Sequence, residues 1–162
     1  MLADLSLRAA SLRVFFENTI FLSSLTSLCV AQLLKAIIYI LNGRMKKTRE
    51  LVEIITWRTG GMPSSHAALV CSLCTSIAFV EGLTSNLFIF SFWFALVVLR
   101  DAMGVRRAAG LSTRALNNLG KAVAEKLGID FHAVKEVQGH TPLEVVLGGL
   151  LGIFIAAGLS LL

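Results

Sequence analysis

Residues 142–162 read PLEVVLGGLLGIFIAAGLSLL, and this run decides the fold class. Its only charge is Glu144, close to its N-terminal edge. A helix of about 20 residues rises about 30 Å, the thickness of a bilayer's hydrocarbon core. Gly148, Gly149, Gly152 and Gly158 supply small positions where a second helix can approach closely. Just before it, Thr141-Pro142-Leu143-Glu144 has the form of a capping box, with proline at the first helical position.

Working outward, three more apolar runs appear. Residues 19–41 form one, interrupted by Gln32 and Lys35. Residues 64–80 form a second. Residues 83–99 form a third, rich in aromatics (Phe88, Phe90, Phe92, Trp93, Phe94). Hydrophobic residues make up 56% of the 162-residue chain, well above what a soluble domain of this size carries. The expected fold is all-α: an integral membrane helical bundle with about four transmembrane helices, in a single membrane domain over residues 1–162. Residues 1–17 read as an amphipathic lead-in. Residues 112–127, with Leu116, Leu119, Val123 and Leu127 at helical spacing, read as an amphipathic helix lying on the membrane surface. Ser112 or Thr113 can cap that helix and Gly128 can end it.

The net charge is +5. Nucleic acid is not the expected partner, because no aromatic-plus-arginine platform is present to stack bases. The basic residues read instead as topology. With four spans, loops 42–62 and 100–141 lie on one face. That face collects Arg44, Lys46, Lys47, Arg49, Arg58, Arg100, Arg106, Arg107, Arg114, Lys121, Lys126 and Lys135, against Arg8 and Arg13 opposite. The positive-inside rule makes it the cytoplasmic face or its organellar equivalent. Cys29, Cys71 and Cys74 all lie within apolar runs and read as packing residues. An odd cysteine count argues against a disulfide framework, and no metal site or cofactor is expected.

The same parity brings the chemistry-bearing residues to one depth. His66 opens the second span, behind Gly60-Gly61-Met62-Pro63-Ser64-Ser65. His140 precedes the fourth span, with Glu144 four residues on. Asp101, Arg106 and Arg107 follow the third span. Lys35 lies about 9 Å below the same face, at 1.5 Å per helical residue. A helix N-terminus behind glycines binds phosphate well, and Ser64 and Ser65 add hydroxyl donors; Ser64 is equally suited to capping the helix. His66 there can protonate a leaving oxygen. His140 and Glu144 suit a nucleophile with its orienting carboxylate, although Glu144 also fits the capping box. Arg106 and Arg107 can fork phosphate oxygens, but they point about 100° apart on a helix, so one of them is expected to serve. Lys35 among leucines and isoleucines needs a partner or a polar cavity, and Gln32 can share its face. Asp101 is a supporting residue that pairs with a cation.

Three motifs carry a family resemblance: Gly-Gly-Met-Pro-Ser-Ser-His (60–66), Asp-Ala-Met-Gly-Val-Arg-Arg-Ala-Ala-Gly (101–110) and Gly-His-Thr-Pro-Leu-Glu-Val (139–145), continued by Gly148. Over residues 19–162 the chain resembles the divergent branch of the type-2 phosphatidic acid phosphatases, relatives of the vanadium-dependent haloperoxidases. The resemblance implies that Ser64, Ser65 and His66 supply phosphate donors and the general acid. It implies that His140 is the nucleophile, Glu144 its carboxylate and Lys35 a phosphate ligand. The implied reaction is metal-independent hydrolysis of a lipid or isoprenoid phosphate monoester through a phosphohistidine. The chain departs from the superfamily pattern in three places: Ser65 replaces a glycine, Glu144 replaces an aspartate, and Val134 stands where an arginine is usual. The alternative is a non-catalytic membrane protein that keeps a lipid-phosphate pocket. A transporter is disfavoured by the absence of inverted repeats. The expected partners are the bilayer, a lipid phosphate and a second copy of the chain in a homodimer.

Overall fold

The computed structural model describes residues 13–43, 61–136 and 139–162. Most of the amphipathic lead-in and most of the basic loop 42–62, including Arg58, lie outside the described residues. Among the described residues, five long helices run in order: α1 Thr19–Leu41, α2 Ser65–Glu81, α3 Asn86–Met103, α4 Val105–Leu127 and α5 Pro142–Leu161. The chain is an all-α membrane bundle. Among the described residues, three stretches are long and apolar enough to cross a bilayer: Thr19–Leu41, the run Asn86–Leu127 that contains α3 and α4, and Pro142–Leu161.

Polar side chains close most helix starts. Asn18 accepts from the Ile20 and Phe21 amides at 2.9 and 3.2 Å. Ser64 caps α2, Ser85 caps α3 through the Phe88 amide, and Thr141 caps α5. Each supplies an acceptor to amides that have no partner within the first turn. Gly82, at φ +85°, ends α2 and turns the chain into α3. The turn and the Ser85 cap start the third apolar helix at Asn86 rather than near residue 83, and it runs on to Met103.

α4 corrects the sequence expectation. It begins at Val105 with no side-chain cap, and Ser112 and Thr113 are interior positions. Thr113 bonds back to the Ala109 carbonyl at 2.9 Å instead of capping. Arg106 and Arg107 therefore lie on the first turn of this helix. The C-terminal expectation agrees with the structure: Gly128 sits in the left-handed region at φ +66°. Leu116, Leu119, Val123 and Leu127 are exposed.

α2 sits at the centre, packing most extensively against α5, then α1, then α3. At 17 residues it rises only about 25 Å, short of a full hydrocarbon core, and its neighbours shield it. Glycines set the closest seam. A Cβ on Gly148 would overlap the Ser64 carbonyl oxygen, and one on Gly152 would overlap that of Ala68. Close approach of backbones replaces the hydrophobic drive that lipid removes. The bundle is accordingly apolar outside, and its interior is built of small residues, apolar and polar alike. Phe90 and Trp93 face outward at 69% and 62% exposure, while the largest fully buried side chains are Ser23, Ser27, Ser64, Ser72 and Ser76.

Candidate active site

The C-terminal part of α1, the start of α2, the end of α3 and the start of α5 meet at one end of the bundle. Two hydrogen bonds fasten that junction. The Ser64 amide donates to the Glu144 carbonyl at 2.9 Å, and the His140 amide donates to the Ala102 carbonyl at 3.2 Å. Gly139 makes the second contact sterically possible, since a Cβ there would overlap the Arg107 backbone.

Lys35 is buried at 6% exposure. Its ammonium donates to Ser65 Oγ at 2.9 Å, and Ser65 donates in turn to Gln32 Oε1 at 3.0 Å. This chain answers the requirement that an intramembrane cation find polar company. Gly61, at φ +87°, passes the aliphatic stem of Lys35, a backbone conformation that favours glycine. Ser64 is fully buried, and its hydroxyl accepts from the Ala67 amide at 3.4 Å, so it serves as the helix cap.

His140 is 3% exposed. Its Nδ1 stands 3.1 Å from Glu144 Oε2. A carboxylate only accepts, so Nδ1 carries the proton and Nε2 keeps its lone pair. The same Oε2 accepts from the Thr141 amide at 3.0 Å, and Thr141 Oγ1 accepts from the Glu144 amide at 3.4 Å. The capping box and the histidine pair therefore coexist on one carboxylate oxygen, in a single Glu144 rotamer. Burial pulls the His140 pKa below the usual histidine value, the Glu144 hydrogen bond opposes this, and the Lys35 and Arg106 charges add to the lowering.

His66 is exposed, and its ring centroid lies 6.4 Å from that of His140. Hydrogen bonds of about 2.8 Å from each side would let one tetrahedral oxyanion span the two rings. Asp101 and Arg106 form an ion pair at 3.1 Å, each side chain 43% exposed. The Arg106 charge reaches both imidazoles. Arg107 is exposed, and its backbone rather than its guanidinium meets this junction. Of the two arginines, Arg106 is the one turned towards the histidines.

The stretch before His140 holds what sequence reasoning did not find. Asn117 is 6% exposed. It donates to the Val134 carbonyl at 2.8 Å and accepts from the Val134 amide at 2.9 Å. Gly120 lies under the Phe131 ring, and Arg114 pairs with Glu136 at 3.3 Å. Residues 129–136 thus fold back along α4, returning the chain towards His140. The available signal was an asparagine, a poor helix former, inside an otherwise regular amphipathic pattern. Val134 is held by its backbone.

Comparison with known proteins agrees with the motif reading. The "Uncharacterized membrane protein YuiD" of Bacillus subtilis (strain 168) is 39% identical over 150 residues, covering 86% of this chain and 92% of that protein. No solved structure matches. A sequence model described as "Divergent PAP2 family" matches residues 16–155. The family match runs through the apolar helices and the two histidine motifs, and on that basis the chain belongs to the Divergent PAP2 family.

Proposed function

We propose that the protein is a membrane-embedded phosphatase that hydrolyses a lipid or isoprenoid phosphate monoester at the cytoplasmic, or equivalent organellar, face. The observation that carries this reading is the pairing of a buried, carboxylate-bound His140 with a second imidazole 6.4 Å away, beside a lysine and a helix N-terminus.

His140 Nε2 attacks phosphorus. The N–P bond forms as the ester P–O bond breaks, and His66 gives its proton to the departing alcohol oxygen. Glu144 stabilises the positive imidazole ring. In the second half, His66 takes a proton from water, the new oxygen attacks phosphorus, the N–P bond breaks and inorganic phosphate leaves. Lys35, Ser65, the first amides of α2 and Arg106 neutralise the phosphoryl oxygens in both halves. Ser64 holds that helix end in place, Asp101 orients Arg106, and Arg107 lies at the rim. The face follows from the positive-inside rule applied to Arg106, Arg107, Arg114, Lys121 and Lys126.

The test is phosphate release by purified protein from a panel of lipid and isoprenoid phosphate monoesters, in chelator, with His140→Ala as control. Release that depends on His140 supports the reading. Release no greater than the control across the panel removes it. A second reading, a lipid-phosphate-binding protein without turnover, is favoured by Val134 at the usual arginine position. It predicts headgroup binding that survives His140→Ala.

A further inference from the structure

The polar interior of the bundle does not end at the candidate site. Deeper in the membrane, on the same inner seam, a second group of polar atoms is present. Ser23, Ser27, Ser72 and Ser76 are each 0% exposed. The hydroxyls of Ser23, Ser27, Ser72 and Ser160 are buried and have no hydrogen-bond partner among the described residues. Serines elsewhere in the bundle fold back on their own helix: Ser24 to the Ile20 carbonyl at 2.7 Å, Ser76 to that of Ser72 at 2.8 Å, and Ser91 to that of Phe88 at 2.9 Å. The four unpartnered hydroxyls do not.

Helix register brings them together. On α1, Ser23, Ser27, Ala31 and Lys35 follow one another at intervals of four and share a face. Lys35 meets Ser65 across the seam, so Ser27, about 12 Å below Lys35, comes level with Ser72, about 10 Å below Ser65. Gly148 abuts Ser64 and Gly152 abuts Ala68. The same offset sets Ala156 beside Ser72 and Ser160 beside Ser76. Between the two polar layers stands a layer of small residues, Ala31, Ala68 and Gly152, all buried.

We infer that the distal seam of α1, α2 and α5 is a separate hydration site, holding water bound by Ser23, Ser27, Ser72 and Ser160. Each hydroxyl offers one donor and two acceptor positions. Hydrocarbon cannot satisfy them, so a buried hydroxyl there needs a hydrogen-bonding occupant. The occupant is neutral. No charged residue lies on α1 from Thr19 to Leu34, on α2 from Ala67 to Val80 or on α5 from Val145 to Leu161, so an ion would have no countercharge. The Ala31–Ala68–Gly152 layer keeps this water apart from the anion-binding end.

Water-edited solid-state NMR of the full chain in lipid bilayers tests this directly. Water-derived signal at the Cβ atoms of Ser27 and Ser72 should build up at least about threefold faster than at Ala31 and Ala68, because bound water lies against the hydroxyls. In the double variant Ser27→Ala with Ser72→Ala, the fast build-up at Ser23 and Ser160 should be lost while helix content by circular dichroism is unchanged. Build-up at Ser27 and Ser72 no faster than at Ala31 and Ala68 overturns the inference, as that pattern means direct hydroxyl contacts in a dry seam. Persistence of fast build-up at Ser23 and Ser160 in the double variant also overturns it. Phosphate release is not part of the readout, so this inference and the phosphatase reading stand or fall separately.

Discussion

Glu144→Gln separates the two duties of Glu144. In the protein, Oε2 accepts from both the Thr141 amide and His140 Nδ1. A glutamine keeps an acceptor oxygen for the cap, because Glu and Gln both complete a capping box. It removes the charge beside a ring whose side chain is 4% exposed. A hydrogen bond to a charged group contributes about 1.5–3 kcal/mol and a neutral one about 0.5–1.5, so the change withdraws roughly 1–1.5 kcal/mol from the positive imidazole. At about 1.4 kcal/mol per decade this slows phosphoryl transfer about tenfold. Unfolding stability should move by less than about 1 kcal/mol. Glu144→Ala removes both interactions and should add a capping loss of about 1 kcal/mol to the slower rate. Steady-state phosphate release and thermal unfolding of both variants in the same detergent give the comparison. If Glu144→Gln releases phosphate at the wild-type rate while Glu144→Ala is merely less stable, the carboxylate is a helix cap and the orienting role is wrong.

Three further outcomes follow from the same geometry. The His140 ring, followed by NMR, should titrate below the usual histidine midpoint of about 6.5, because burial is the largest influence on it. Since its folded pKa is the lower one, the unfolded chain binds more protons between the two midpoints. Its contribution to stability is therefore present above about pH 6.5 and is lost as pH falls through the folded midpoint; a midpoint above 6.5 would contradict the burial. Lys35→Met fills a similar volume without the charge, and should weaken inorganic phosphate or vanadate binding by about tenfold or more with little loss of thermal stability; unchanged binding would remove Lys35 from the anion site. Gly152→Ala forces a methyl against the Ala68 carbonyl and should lower stability by about 1–3 kcal/mol, read from thermal unfolding; a neutral effect would mean that α2 and α5 are not in close contact.

Much of the architecture can be read from local pattern because the bilayer imposes strong rules. Thr141, Pro142 and Glu144 mark the start of α5 within the chain itself, and the structure shows that capping box. The convergence of Lys35, His66 and His140 follows from counting spans, since parity alone decides which loops share a face. What escapes the sequence is tertiary. α4 begins at Val105 because Gly104 breaks the run after α3, and nothing in the stretch 105–111 resembles a capping signal. Asn117 clamps Val134 across a separation of 17 residues, and an asparagine inside an amphipathic pattern does not say which segment it holds. The choice between Arg106 and Arg107 is equally non-local. It depends on Asp101 one turn earlier and on Gly139 occupying the space beside the Arg107 backbone. The dual use of Glu144 Oε2 depends on a rotamer that spacing alone does not specify.

The most direct measurement is an experimental structure of the protein with vanadate bound. The metal centre of the oxyanion should lie within bonding distance of His140 Nε2, with the vanadate oxygens contacted by His66, Lys35 and Arg106. Vanadate bound elsewhere, or bound without contact to either imidazole, would contradict a shared oxyanion site between the two histidines.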